Sequence, residues 1–193
     1  MKAGTVRLMA FAEITGATRD SIRNIQKTGD TPWDDSDFPE EGQRRYTGYH
    51  ALARVMADLL HAQGFAMSLA AEVVRAHTSC LRQFLDAISN GQTSPDLAVA
   101  GMIMTEFDEW AGYSSMPFLN AGGSPSDIED NFRRQLALLG TTTTHRGRKV
   151  TVVYGPQSAV VPVAMAYRIL RDRARTAGYI VDGYEIFAVE SEK

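Results

Sequence analysis

The chain has few cysteines and no long apolar run, the features that secreted and membrane-spanning proteins depend on. Among its 193 residues there is a single cysteine, Cys80, so no internal disulfide can form, which fits a reducing compartment. No apolar run approaches the roughly 20 residues that a membrane-spanning helix needs, and the N-terminus lacks the apolar core of a signal peptide. We therefore expect a cytoplasmic protein with no membrane partner.

Sequence patterns typical of catalytic sites are also missing. The chain has no His-Glu-x-x-His, Gly-x-Ser-x-Gly or Walker pattern. His77 and Cys80 stand three residues apart, the spacing of two ligands on one helix face, and His61 could join them, but a structural metal site ordinarily has four ligands. We therefore predict that the protein is not an enzyme and holds neither a metal nor another cofactor.

Basic residues are slightly outnumbered, with 20 Lys and Arg against 23 Asp and Glu and a formal net charge of −3. This balance argues against a protein that coats nucleic acid without regard to sequence, because such binding depends on neutralising phosphates. The acids are unevenly placed: six of the eleven up to Gly91 fall between Asp30 and Glu41, which leaves five against ten Lys and Arg in the rest of that segment. A basic face is therefore compatible with the acidic total.

Residues 11–29 combine a short apolar helix, a turn and a basic helix. Phe11 and Ile14 form an apolar stripe at helical spacing, and Gly16 can adopt the left-handed conformation that ends a helix. Thr18 is suited to cap a second helix, because its hydroxyl can accept from the backbone N–H groups of the next turn. The pattern predicts a helix-turn-helix.

The second helix of this pair has an apolar face and a polar face. Ile22 and Ile25 can pack on the first helix. The side chains that then point elsewhere are Arg19, Ser21, Arg23, Asn24 and Lys27. Arg and Asn make bidentate contacts with guanine and adenine edges, whereas Lys mainly neutralises phosphate. The predicted DNA-binding residues are these five together with Thr18, Arg44, Arg45 and Tyr46.

Four short segments follow one another through the first half of the chain. They are Ser21-Ile22-Arg23, Arg45-Tyr46, Gly64-Phe65 and Ala71-Glu72-Val73. In this order they resemble the MerR family of winged-helix regulators, whose helix-turn-helix is followed by an Arg-Tyr wing, a helix ending in Gly-Phe and a further helix. The resemblance implies a winged helix-turn-helix over residues 1–67, in which Arg23 and Arg45 contact DNA phosphates.

Two features depart from the family pattern. Asn24-Ile25 stands where the family usually has two aromatic residues, so one phosphate-binding tyrosine is missing and a different site preference is expected. The acidic loop, residues 30–41, is long and carries its carboxylates around Trp33 and Phe38. A phosphate backbone would repel it, so we expect it to point away from DNA or to cover a neighbouring protomer or the chain's own basic surface.

Apolar residues recur at intervals of three and four between Ser68 and Ser89. They are Ala70, Val73, Val74, Leu81, Phe84, Leu85 and Ile88. The spacing predicts one long amphipathic helix. In the MerR family a helix at this place pairs with its copy, and most soluble oligomers are symmetric homodimers. We therefore predict a homodimer formed through this helix; the alternative is that the stripe packs on the C-terminal half.

Residues 90–95 end that helix and mark a boundary, because Gly, Ser and Pro do not readily restart one. Beyond it we predict strands at Leu97–Thr105, Lys149–Tyr154 and Tyr179–Val189. For the first of these, the Met and Ala content is also compatible with a helix. We predict helices at Ser124–Leu139 and Pro162–Thr176. This alternation indicates a small α/β domain over residues 92–193. The whole chain is thus predicted to be α+β, with a winged helix-turn-helix, a linking helix over residues 68–91 and this domain.

Two roles are considered for the C-terminal domain: it binds either a small effector or another protein. Trp110, Tyr113 and Phe118 could line a ligand pocket, although aromatic side chains more commonly fill cores. The basic segment His145–Lys149 could contact phosphate, although such runs are more often solvated turns.

Taken together, these patterns favour a homodimeric, sequence-specific transcriptional regulator that binds double-stranded DNA. Two other classes stay open. One is an architectural or assembly DNA-binding protein, such as an excisionase-like DNA bender or a phage packaging component. The other is a protein-binding module that does not bind DNA. A regulator protects one short palindrome from cleavage, whereas an assembly factor protects an extended or bent tract.

Overall fold

The computed structural model describes residues 4–39, 42–91, 98–107, 112–120, 142–145 and 148–189, with the strand residues between 98 and 160 described by their backbone alone. The N-terminal half is helical. Its helices are α1 Leu8–Thr15, α2 Arg19–Thr28, α3 Gly48–Ala62, α4 Met67–Ala76 and α5 Thr78–Ser89, and a 3₁₀ turn spans Asp35–Asp37.

A glycine and a capping threonine form the turn between α1 and α2, as the sequence predicts. Gly16 ends α1 in the left-handed conformation, with φ at 72°. Thr18 begins α2, because its side chain accepts a hydrogen bond from Ser21 N–H at 3.1 Å. Ile14 of α1 and Ile22 of α2 are both fully buried. The two predicted helices and the turn that joins them are confirmed.

The predicted single helix over residues 68–89 is wrong. The chain forms two helices there, because the backbone of His77 leaves helical geometry, with φ −112° and ψ 23°, and ends α4 where α5 begins. The apolar stripe is occupied within the chain itself. α4 packs on α3, and the Phe84 ring of α5 meets the Tyr167 ring edge to face at 5.4 Å. The stripe therefore contributes to the chain's own core.

Four antiparallel strands follow. They are β1 Ala98–Phe107, β2 Gly112–Asn120, β3 Thr142–His145 and β4 Arg148–Pro162, and they lie in the order β2-β1-β4-β3. In the central pair, Val99 lies opposite Val161. The strands predicted at Leu97–Thr105 and Lys149–Tyr154 are confirmed. The helix predicted at Ser124–Leu139 lies outside the described residues.

A helix and a hairpin complete the described chain. They are α6 Val163–Thr176, β5 Tyr179–Asp182 and β6 Glu185–Ala188. The predicted helix Pro162–Thr176 is confirmed, with Pro162 as its N-terminal cap. The single strand predicted at Tyr179–Val189 is instead two antiparallel strands, because Gly183 takes a φ of 55° and reverses the chain between them.

Described residues on both sides of the predicted boundary at residue 92 share one buried cluster. α6 packs on α1 and α3, and its Leu170 belongs to the same buried cluster as Leu52 and Phe84. The hairpin is joined to the start of α3, where Gly48 N–H donates to Tyr184 O at 2.7 Å. Residues 163–188 therefore fold together with the N-terminal helices and not as part of a separate domain.

The strand pairings decide the fold class. All pairings among the described strands are antiparallel, which is typical of α+β folds. The chain is α+β, as predicted for the whole molecule.

Candidate nucleic-acid interface

Helix α2 presents its polar side chains to solvent. Ile22 and Ile25 are 0% and 7% exposed and hold the helix on the core. The exposed side chains on its outer faces are Arg19, Arg23, Asn24 and Lys27. Among the described residues, none of the three basic groups of this set forms an ion pair. Their charge is therefore available to an anionic partner.

Thr18 and Ser21, also predicted to contact DNA, are engaged in holding α2 in place. Thr18 caps the helix, and Ser21 Oγ accepts a hydrogen bond from Arg54 Nη2 at 3.3 Å. Arg54 is 4% exposed, and its guanidinium is also held by Asp58, through Nε–Oδ2 at 3.1 Å and Nη2–Oδ1 at 2.9 Å. The sequence pattern gave no role to Arg54, although an arginine within an apolar helical run is a recognisable signal.

Residues 43–46 lie beside α2 because they pair with the N-terminal segment. Val6 and Tyr46 exchange both backbone hydrogen bonds at 2.9 Å. The side chain of Arg45 is exposed. Arg44 is partly held: its Nη1 lies 2.8 Å from Asp35 Oδ1, and its guanidinium is 4.9 Å from the centre of the Phe38 ring.

The structure places Tyr46 in the core and not on the surface, unlike the other predicted contact residues. Its side chain is 1% exposed, and its ring is stacked on Phe11 at 4.1 Å. Gln26 Nε2 donates to its hydroxyl at 2.6 Å. Burial raises the pKa of this hydroxyl, so it stays protonated at neutral pH. Tyr46 therefore fastens α2 to residues 43–46, and the DNA contact predicted for it is not available to a buried ring.

An open cleft lies between α2 and residues 43–46, with a volume of about 450 Å³. We call it the basic cleft. Its described lining residues are Arg7, Leu8, Met9, Arg19, Arg23, Gln26, Gln43, Arg44 and Tyr46. Four of them carry a guanidinium and none carries a carboxylate. Converging positive charge in a concave surface attracts polyanions, and guanidinium groups suit phosphate oxygens.

Arg7 is a member of this cleft that sequence reasoning missed. It is exposed and directly precedes α1. Its neighbour Val6 pairs with Tyr46, and this pairing brings the N-terminal segment to the same edge as Arg44. No local pattern marks Arg7, because its position depends on a contact between residues 40 positions apart in the sequence. Asn24 and Lys27 lie on α2 outside the described lining.

The acidic loop covers the chain's own basic residues, one of the three outcomes expected for it. Trp33 is 0% exposed and anchors the loop in the core. Asp35 pairs with Arg44, and Asp37 Oδ1 lies 2.8 Å from Arg82 Nη2. The loop therefore lowers the positive charge at one side of the basic cleft while leaving Arg7, Arg19 and Arg23 without acidic partners among the described residues. Glu40 and Glu41 lie outside the described residues.

His50 fixes the start of α3 beside the same aromatic cluster. Its Nδ1 accepts a hydrogen bond from Thr47 N–H at 3.1 Å. Its Nε2 is 3.8 Å from Asp37 Oδ2, which is too long for a hydrogen bond. Burial, with a smaller contribution from the charge of Arg82, lowers the pKa of His50 to about 3. The imidazole is therefore neutral at physiological pH, and it caps the helix without adding charge to the interface.

The remaining predicted features give no second candidate for this interface. The side chains of Trp110, Tyr113 and Phe118 lie outside the described residues, as does part of the basic segment 145–149. In the part of the chain that is described, no three His, Cys, Asp or Glu side chains are grouped as metal ligands. Within that same part, no helix combines the length and apolar character required to cross a bilayer.

Comparisons with known proteins do not add to this site. No protein-family model matches the sequence, and no curated protein shows significant similarity to it.

Proposed function

We propose that the protein binds duplex DNA sequence-specifically as a winged helix-turn-helix regulator, with α2 in the major groove. The basic cleft is the observation that carries this proposal. Its four guanidinium groups come from three separate parts of the chain and meet beside the exposed face of α2. Arg7, Arg44 and Arg45 then contact the phosphates that flank the groove, and contacts of this kind fix the position of a protein on the duplex.

The dimensions and side chains of α2 suit this placement. Its ten residues span about 15 Å, and a major groove about 12 Å wide admits a helix. Asn24 is exposed on this helix and matches the donor and acceptor pair of an adenine edge. Arg23 and Lys27 supply the positive charge that phosphates require. The isoleucines on the opposite face keep the helix from rotating, so the polar face is presented in one orientation.

The order of elements also supports a MerR-like arrangement. α3 ends just before Gly64-Phe65, the Phe65 side chain is buried, and α4 contains Ala71-Glu72-Val73. The antiparallel pairing of Val6 with Tyr46 brings residues 43–46 next to α2, and a wing beside the recognition helix is compatible with this position. These features support the family likeness that the sequence suggested.

Homodimerisation in the cytoplasm remains part of the proposal, because paired half-sites favour two-fold symmetric proteins. The contact surface is not the apolar stripe of α4 and α5, since those side chains are buried within the chain. Sedimentation equilibrium of the full chain measures the association directly.

The test is a paired substitution on α2. We expect Arg19→Gln/Arg23→Gln to weaken binding to all duplexes, because two phosphate-neutralising charges are lost. The slope of log affinity against log salt concentration should fall by about 0.9 for each lost contact. Fluorescence anisotropy with duplexes selected from random sequence measures both quantities.

The matched control is Arg168→Gln/Arg171→Gln, which removes the same charge from the exposed surface of α6. This control should keep the affinity and salt slope of the original protein. Equal losses in the two variants, or no loss in either, would refute the assignment of α2. The nuclease footprint then separates the two DNA-binding classes: a single short palindrome supports a regulator, and an extended or bent tract supports an assembly factor.

A further inference from the structure

A second cleft lies between α5 and α6, and the proposed DNA-binding function makes no use of it. Its volume is about 320 Å³, within the size range of small-molecule sites. We call it the α5–α6 cleft. Its described lining residues are Phe84, Ile88, Ala164, Tyr167, Arg168, Arg171, Asp172 and Arg175. None of them belongs to the basic cleft.

The walls of this cleft carry unbalanced positive charge. Arg168, Arg171 and Arg175 are spaced by three and four residues, so their guanidinium groups stand on one face of α6. All three are exposed, and within the described part of the chain none is in an ion pair. Asp172 also lines the cleft and offsets one charge. The described walls therefore carry a net charge of two positive units.

The floor of the cleft is apolar. Phe84 and Tyr167 meet edge to face and are nearly fully buried, while Ile88 is partly exposed beside them and Ala164 is exposed. The Tyr167 hydroxyl is turned away into the hairpin, where it accepts from Gly183 N–H at 2.9 Å. The cleft thus offers carbon surface below and guanidinium groups above.

We propose that the α5–α6 cleft binds a small organic dianion with an apolar ring or chain, of which an aryl phosphate is the simplest representative. Two net positive charges match a dianion, and guanidinium groups bind phosphate oxygens through paired hydrogen bonds. The apolar body of the ligand lies against Ile88 and Ala164. Duplex DNA keeps the apolar faces of its bases stacked in its interior, so it offers this floor no comparable surface, and this distinguishes the cleft from the DNA-binding surface.

Isothermal titration calorimetry of the full chain with phenyl phosphate at pH 7.5 tests the proposal. At this pH the phosphate is a dianion, because its second pKa is near 6. We expect saturable binding that is tighter than that of inorganic phosphate, which lacks the ring, and of phenol, which lacks the charge. No saturable binding of phenyl phosphate, or equal binding of inorganic phosphate, would overturn the proposal.

Two variants locate the binding. Arg168→Gln/Arg171→Gln should weaken phenyl phosphate binding by tenfold or more, whereas Arg19→Gln/Arg23→Gln, with the same change of charge, should leave it unchanged. The reverse result would place the anion in the basic cleft and refute this site. Ala164→Glu puts a carboxylate into the apolar part of the lining and should also abolish binding; retained binding in that variant counts against the site. DNA binding is measured in a separate experiment. The proposed anion site and the proposed DNA-binding function can therefore be refuted independently.

Discussion

Whether a side chain in this protein is buried or exposed decides what it can contact. Tyr46 and Arg45 are neighbours in the sequence, yet Tyr46 is stacked on Phe11 in the interior while Arg45 is exposed. Trp33 and His50 lie in the same aromatic cluster, with ring centres 5.6 Å apart. Burial disfavours the charged form of a titratable group in that cluster. The protonation of such a group is therefore linked to the free energy of unfolding.

His50 makes the stability depend on pH. The pKa of His50 is about 3 in the folded chain against an ordinary value of 6.5, so the unfolded state binds the proton more readily between these values. The contribution of His50 is fully present above pH 6.5 and is lost as pH falls toward 3. Each pKa unit of difference corresponds to about 1.4 kcal/mol. Urea unfolding at pH 7.0 and pH 4.5 measures the decrease.

His50→Asn is the control for this prediction. An asparagine can still accept from Thr47 N–H at the start of α3, but it does not titrate. The free energy of unfolding of this variant should therefore fall less between the two pH values than that of the original protein. Equal decreases in both proteins would show that another group is responsible.

At the scale of elements, α6 connects the C-terminal segment to the turn between α1 and α2. Arg173 Nη1 donates to Thr15 O at 2.6 Å, at the C-terminal end of α1. This end of a helix carries partial negative charge and unpaired carbonyl groups, so a guanidinium there is favourable. Because the turn at Gly16 also sets the direction of α2, α6 helps to fix the orientation of the proposed recognition helix.

We expect Arg173→Met to lower the free energy of unfolding by about 1–3 kcal/mol, because Thr15 O loses a charged donor. Chemical denaturation measures the loss. Arg175→Met, an exposed change on the same helix, should alter stability by no more than about 0.5 kcal/mol. If the two variants are equally stable, the contact at Thr15 contributes nothing measurable.

At the scale of the whole molecule, the described N-terminal helices and the described C-terminal helix and hairpin share one buried cluster. Ile186 N–H donates a hydrogen bond to Gly4 O at 2.9 Å, and the Tyr184 hydroxyl donates one to Arg82 O at 3.0 Å. The approach is close: a Cβ added at Gly48 would collide with Gly183 O. The helices of the N-terminal half therefore need the C-terminal helix and hairpin to complete their packing.

A fragment of residues 1–91 should consequently fail to form a rigid fold. It lacks the buried side chains of Tyr167, Leu170, Val181 and Ile186, and its own apolar residues would be left exposed to water. We expect a broad thermal transition and binding of a hydrophobic dye, in contrast to the full chain. A fragment that melts as sharply and at the same temperature as the full chain would show that the two parts are independent.

Local sequence patterns were sufficient to predict the first two helices and the turn between them. Gly16 and Thr18 specify the turn before α2 through backbone conformation and capping, and Ile22 and Ile25 specify which face of that helix is buried. These features depend on neighbours within one or two helical turns, so periodicity is sufficient to predict them. The exposure of Arg19, Arg23, Asn24 and Lys27 follows from the same pattern.

The way in which these elements combine does not follow from their local patterns. The break at His77 divides a continuous apolar stripe, Tyr46 turns inward, and Arg7 joins the basic cleft through the pairing of Val6 with Tyr46. Residues 163–188 complete the N-terminal core across more than 70 intervening positions. The positions of Tyr46, Arg7 and residues 163–188 depend on contacts between residues that are distant in the sequence. The spacing of residues along the chain does not encode such contacts, so periodicity did not predict them.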